Sequence, residues 1–78
     1  MPVSVSDLRA GQRGEVVGFR GGRGMARKLE YLGLRPGKVV TMVSSQFMAG
    51  PVTVMVDGRQ VAMGRGIAAK VQVEPQSD

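Results

Sequence analysis

Residues 51–63 read PVTVMVDGRQVAM, and this stretch decides the fold class. Apolar side chains alternate on both sides of a central Asp-Gly pair: Val52, Val54, Val56, Val61 and Met63. Such alternation is typical of strands with one buried face. Asp57 and Gly58 tolerate the positive φ angles of a type I′ turn, whose twist suits a two-residue hairpin. The stretch therefore predicts an antiparallel β-hairpin with strands at 51–56 and 59–63.

Three further apolar runs outside the hairpin are bounded by turn residues. GEVVGF at 14–19 and KVVTMVS at 38–44 predict two longer strands, and the apolar residues on their two faces predict that both are largely covered. Residues 71–73 predict a short last strand before a polar tail, from about residue 75, that we expect to be frayed. Short strands separated by glycine-bearing turns predict a mainly β protein, a small antiparallel barrel of about five strands.

One segment between the first two strands breaks the β pattern. Met25, Leu29 and Leu32 fall at positions i, i+4 and i+7, an apolar stripe that predicts a short helix over 25–32. Gly33 can take the left-handed conformation that ends a helix. Because an isolated helix of this length is unstable in water, we expect it to pack across one end of the barrel as a lid.

Length and composition indicate the class of protein. A chain of 78 residues with 42% hydrophobic and 22% charged residues has the size and balance of one folded domain, so we expect residues 1–78 to form a single domain. Cysteine is absent, which excludes disulfides and fits a reducing compartment. No stretch approaches the roughly 20 apolar residues of a membrane span, and the start does not resemble a signal peptide. We therefore expect a cytoplasmic location.

Catalytic and metal chemistry have few candidate residues. The chain has no histidine and no cysteine, and its six acidic residues include no pair at i, i+4 spacing. The usual nucleophiles, neutral-pH bases and soft metal ligands are therefore absent or dispersed. We expect no catalytic residue, no cofactor and no tight metal site.

The positive charge is concentrated in one quarter of the chain. Between positions 20 and 38, six basic residues stand against one acid, a local balance of +5 that equals the net charge of the whole protein. The six are Arg20, Arg23, Arg27, Lys28, Arg35 and Lys38. This basic segment is either a solvated face or a docking surface for an acidic partner. Nucleic acid is a third alternative, but Phe19, Tyr31 and Phe47 are the only aromatic residues, too few for a stacking platform.

Residues 27–37, RKLEYLGLRPG, resemble the FeoA family in their pattern of basic residue, leucine, two spacers, leucine and Gly-Leu-x-Pro-Gly. The similarity extends from about Val5 to Glu74. It implies an SH3-like barrel in the cytosol that associates with the membrane iron transporter FeoB, and a similar domain ends the iron-dependent repressors. The chain departs from the family at 66–67 and 48–50, where acidic residues are frequent.

The predicted function is therefore that of a non-catalytic accessory of ferrous iron uptake that binds the cytosolic part of FeoB. The alternatives are a small RNA-binding barrel and a free-standing relative of the repressor domain. For the partner surface we select the exposed helix face and its exit, together with an apolar pair in the loop before the hairpin. The candidate residues are Arg27, Tyr31, Arg35, Phe47 and Met48.

Overall fold

The computed structural model describes residues 1–45 and 50–76. The strands are β1 (Val3–Ser4), β2 (Arg13–Phe19), β3 (Val39–Ser45), β4 (Val52–Val56), β5 (Arg59–Met63) and β6 (Val71–Gln76). The helices are α1 (Gly22–Tyr31), α2 (Arg65–Ala68) and a 3-10 turn at Val5–Asp7. The strands form one antiparallel sheet in the order β1-β6-β2-β3-β4-β5, with α1 between the two longest strands in sequence, which confirms the predicted mainly β class.

The β4–β5 hairpin has the geometry that its sequence predicts. Val56 pairs with Arg59, which leaves two residues in the loop. Asp57 and Gly58 have φ angles of 51° and 77°, positive at both central positions as a type I′ turn requires. The alternating apolar residues all face the core: Val52, Val54, Val56, Val61 and Met63.

Helix α1 starts three residues before the predicted Met25. The first turn, from Gly22, carries no apolar side chain, so the apolar stripe could not reveal it. Leu29 is fully buried, as predicted, whereas Met25 and Leu32 are only partly buried against the core. Leu29 is thus the one residue of α1 that is fully buried, and Met25 and Leu32 add partial contacts with the core.

A Schellman motif ends α1. Gly33 has a φ of 92°, and its N–H donates to the carbonyl of Glu30 at 2.9 Å. The N–H of Leu34 donates to the carbonyl of Leu29, also at 2.9 Å. Both leucines are fully buried, so the apolar contact that accompanies this motif lies within the core.

The sheet differs from the prediction in strand number and length. It has six strands where about five were predicted, because the two-residue β1 pairs with β6. Strand β6 continues past the predicted end at residue 73, and Pro75 and Gln76, expected in a frayed tail, pair with Gly14 and Arg13. Such pairing depends on a strand about 60 residues earlier, so the local sequence could not indicate it. The short helix α2 was also missed, since one turn has no readable periodicity.

The outer face of the sheet corrects a further expectation. The two long strands were predicted to be largely covered. Val17 on β2, and Val39 and Val43 on β3, are instead 44%, 41% and 36% exposed. Only the inner residues of these strands belong to the core, and the outer side chains keep contact with solvent.

Candidate partner-binding surface

An open groove of about 250 Å³ lies where the end of α1 meets the tip of the β4–β5 hairpin. Its walls come from two distant parts of the sequence: one runs from the end of α1 into the turn before β3, and the other is the hairpin turn. The lining residues are Glu30, Tyr31, Gly33, Arg35, Lys38, Asp57 and Arg59. We call this set the helix-end groove.

Arg59 connects the hairpin to the end of α1. Its Nη2 donates to the carbonyl of Leu32 at 2.9 Å. A positive charge at this position also suits the negative end of the helix dipole. A Cβ at Gly33 would lie 2.5 Å from the same Nη2. Glycine at position 33 therefore has two roles, because it permits the positive φ and leaves room for the guanidinium of Arg59.

A second contact joins the hairpin turn to the residue before β3. Lys38 Nζ lies 3.1 Å from Asp57 Oδ2 and 3.2 Å from Oδ1. The two side chains are 44% and 50% exposed, so water screens the pair and it contributes at most about 1 kcal/mol to stability. Its main effect is to neutralise Asp57 at the edge of the groove.

The charge that remains in the groove is positive. Lys38 and Asp57 offset each other, which leaves Arg35 and Arg59 against Glu30. Arg35 is exposed and forms no ion pair with the residues that the structure describes. The remaining basic residues of the Arg20–Lys38 segment are exposed as well, along or before α1: Arg20, Arg23, Arg27 and Lys28. The groove thus lies at one end of an exposed cationic surface.

A model of the FeoA domain matches residues 3–75. The chain belongs to the FeoA family. A crystal structure of an iron uptake regulatory protein, FeoA, is 34% identical with a TM-score of 0.88, and the match covers 97% of this chain and 99% of that one. The FeoA protein from Chlorobium tepidum is 27% identical with a TM-score of 0.84, over 96% of this chain and 71% of that protein. These matches confirm the resemblance and the SH3-like fold.

The FeoA fold also resembles part of a larger protein. A manganese-dependent transcriptional repressor is 20% identical with a TM-score of 0.85, over 96% of this chain and 42% of the repressor. At this identity the likeness concerns the fold alone. A comparison with curated protein sequences gave no match.

The groove brings together two of the five candidate contact residues of this FeoA-family protein. Tyr31, 90% exposed, and Arg35 both line it. Arg27 is exposed one turn before Tyr31 on α1, outside the lining. Phe47 and Met48 lie outside the described residues. That any of the five contacts a partner remains a prediction.

Sequence reasoning missed two features of the groove. Arg59 was assigned only to a strand, because nothing in the local sequence relates it to a helix that ends 28 residues earlier. Gly33 was recognised as a helix terminator, but not as the residue that makes room for the Arg59 guanidinium. The spatial contact between hairpin tip and helix end is what reveals both roles.

The described part of the chain contains neither a metal-binding cluster nor a membrane-spanning helix. No group of three or more His, Cys, Asp or Glu residues there could hold a metal ion. No helix within residues 1–45 and 50–76 has the length and apolarity needed to cross a bilayer.

Proposed function

We propose that this FeoA-family protein is a non-catalytic, cytosolic accessory of ferrous iron uptake that acts by binding the cytosolic part of the membrane transporter FeoB. Family membership, with 34% identity to an iron uptake regulatory protein over nearly the whole of both chains, supports the role in iron uptake. The lack of histidine and cysteine favours action through a partner rather than through chemistry on the chain itself.

The observation that carries the choice of surface is the helix-end groove beside exposed arginines. Arg27 stands one turn before Tyr31 on α1, Arg35 lines the groove with Tyr31, and neither arginine has an acidic neighbour in the described ion pairs. Exposed cations and an exposed aromatic side chain on one surface are favourable contacts for an acidic protein surface. The proposed contact residues are therefore Arg27, Tyr31 and Arg35, with Phe47 and Met48 as further candidates.

A second candidate function is docking on a transcriptional repressor. The fold match to the manganese-dependent repressor favours it, because an isolated copy of that fold could occupy the same position on a repressor chain. Nucleic-acid binding has less support. Among the described residues Tyr31 is exposed but Phe19 is packed against the core, so the two do not form a platform on which bases could stack.

Calorimetry with the purified cytosolic part of FeoB tests the proposal. We expect saturable binding to the parent protein at low salt and an affinity that falls as salt rises, because the contact is between opposite charges. The double variant Arg27→Glu, Arg35→Glu is expected to bind at least tenfold more weakly while its melting temperature stays unchanged.

A matched control distinguishes the effect of this surface on binding from the effect of the net charge. Arg9→Glu with Lys70→Glu changes the charge of the chain by the same amount, and both residues are exposed outside the groove and the basic segment. This control should bind nearly as well as the parent. Absence of binding by the parent would refute FeoB as the partner, whereas equal losses in the two double variants would refute the assigned surface.

A further inference from the structure

Strand β5 (Arg59–Met63) lies at one edge of the sheet. Among the described strands, the order places it beside β4 and no other strand. Within the described part of the chain, no backbone group of β5 forms a hydrogen bond outside the ladder with β4. One side of the strand is therefore open for pairing.

The register identifies which backbone groups are open. Val56 and Arg59 flank the two-residue turn and form its hydrogen-bonded pair, so the bonded pairs continue at Val54 with Val61. Gln60 and Ala62 occupy the alternate positions, and their N–H and C=O groups point away from β4. The open edge thus offers two donors and two acceptors from residues that are themselves exposed.

This edge lacks the features that usually block strand pairing. The β2–β6 and β3–β4 ladders both contain register shifts, but β4 and β5 pair without one over all five residues. The outward residues Gln60 and Ala62 are uncharged, and the strand contains no proline. The opposite edge, β1, is only two residues long. Proteins commonly protect edges by shortness, bulges, charge or proline, and β5 uses none of these devices on its outward positions.

The charge around β5 selects the kind of strand that could pair with it. Arg59 lies at one end and Arg65 follows the other, and no acidic residue occurs between positions 58 and 73. Arg65 has no described ion pair, and its buried Nε has no hydrogen-bond partner among the described residues. A second copy of this chain, with a net charge of +5, would bring further cations to this region. An acidic segment is the complementary occupant.

We propose that β5 binds an extended acidic segment of a partner protein by strand addition, through the backbone groups of Gln60 and Ala62. Main-chain hydrogen bonds supply the affinity in this binding mode, and the flanking arginines favour acidic side chains. The inference rests on the proposed function in one respect, since the acidic segment would belong to the partner protein proposed there. The chemistry of the edge does not depend on which protein supplies it.

The probe is an acetylated and amidated decapeptide of alternating glutamate and threonine, titrated into the labelled protein and followed by NMR. The amides of Gln60 and Ala62 should shift saturably and exchange with solvent at least tenfold more slowly. The same peptide N-methylated at every residue cannot donate to the edge and should give neither effect. A lysine-threonine peptide should bind at least tenfold more weakly than the acidic one.

The variant Ala62→Pro removes one edge donor without removing a bond to β4, since the N–H of residue 62 faces outward. It should retain the parent's amide spectrum elsewhere and lose at least tenfold in peptide affinity. No saturable shift up to millimolar peptide, equal binding of the N-methylated peptide, or unchanged affinity of a folded Ala62→Pro protein would overturn the inference. Slow exchange at Gln60 and Ala62 that depends on protein concentration alone would identify a second copy as the occupant and also overturn it.

The same variant separates this inference from the proposed function. If the cytosolic part of FeoB binds the parent and Ala62→Pro equally and the acidic peptide gives no saturable shift, the proposed function stands and strand addition fails. If that part of FeoB does not bind but the acidic peptide protects the edge amides, strand addition stands and FeoB is the wrong partner.

Discussion

Gly58 is held in a conformation that branched residues avoid. Its φ is 77°, and a Cβ built there would meet no atom within 4 Å, so the cost of a side chain arises from the backbone alone. Gly58→Val should therefore lower the free energy of unfolding by about 1–2 kcal/mol, measured by chemical denaturation. Gly18→Val is the matched control, because that position is also open but lacks a positive φ. Equal stability of parent and Gly58→Val would contradict the type I′ assignment.

Gly33 combines a backbone requirement with a spatial one. Its φ of 92° opposes any side chain, and so does the distance of only 2.5 Å that would separate a Cβ from Arg59 Nη2. Gly33→Ala should cost at least about 1–2 kcal/mol of stability. In an Arg59→Ala background the steric part disappears, so the cost should fall by about 0.5 kcal/mol or more. Strict additivity in this double-mutant cycle, followed by thermal or chemical unfolding, would show that the two residues do not interact.

Two residues of helix α1 that are only two positions apart lie on opposite sides of the helix, one buried and one exposed. Leu29 is fully buried, and Tyr31 is 90% exposed. Leu29→Ala should cost about 2–5 kcal/mol because it leaves a cavity in the core. Tyr31→Ala should change stability by no more than about 0.5 kcal/mol, although it removes a proposed partner contact. Similar melting temperatures for the two variants would contradict the packing of α1.

The elements that the sequence predicts well are those with local signals. The hairpin was predictable because its alternation and its Asp-Gly turn lie within 13 consecutive residues, and α1 was predictable from an apolar stripe and a terminating glycine. The length of β6 was not predictable from local sequence, because Pro75 and Gln76 are ordered by pairing with β2. The start of α1 was missed for a different reason, since a first turn without apolar side chains has no periodic signal.

At the scale of the whole molecule, the sequence predicts only part of the candidate site. The basic segment includes Arg35 and Lys38, so part of the groove could be anticipated from charge alone. The presence of Arg59 in the groove could not be anticipated, because its position against the helix end depends on the packing of the hairpin against α1. Tertiary contacts between distant segments create the groove, and composition can indicate only the charge that it will carry.

The whole chain is also expected to bind ferrous iron poorly. It lacks histidine and cysteine, and no metal-binding cluster occurs in the described ranges. Glu15 and Glu74 are direct partners across β2 and β6, but Oε1 of Glu74 already accepts from the amino terminus at 2.8 Å. Two carboxylates give a weak site, since imidazole and thiolate ligands are missing.

Anaerobic calorimetry with ferrous ions should therefore reveal no one-to-one site at micromolar concentration. Glu15→Gln serves as the control, because it removes one member of the acidic pair that β2 and β6 bring together and should leave the weak background heat nearly unchanged. A tight stoichiometric site in the parent that disappears in Glu15→Gln would place a metal centre on β2 and β6. Such a result would mean that the protein handles iron itself, and the proposed action through a partner would lose its chemical basis.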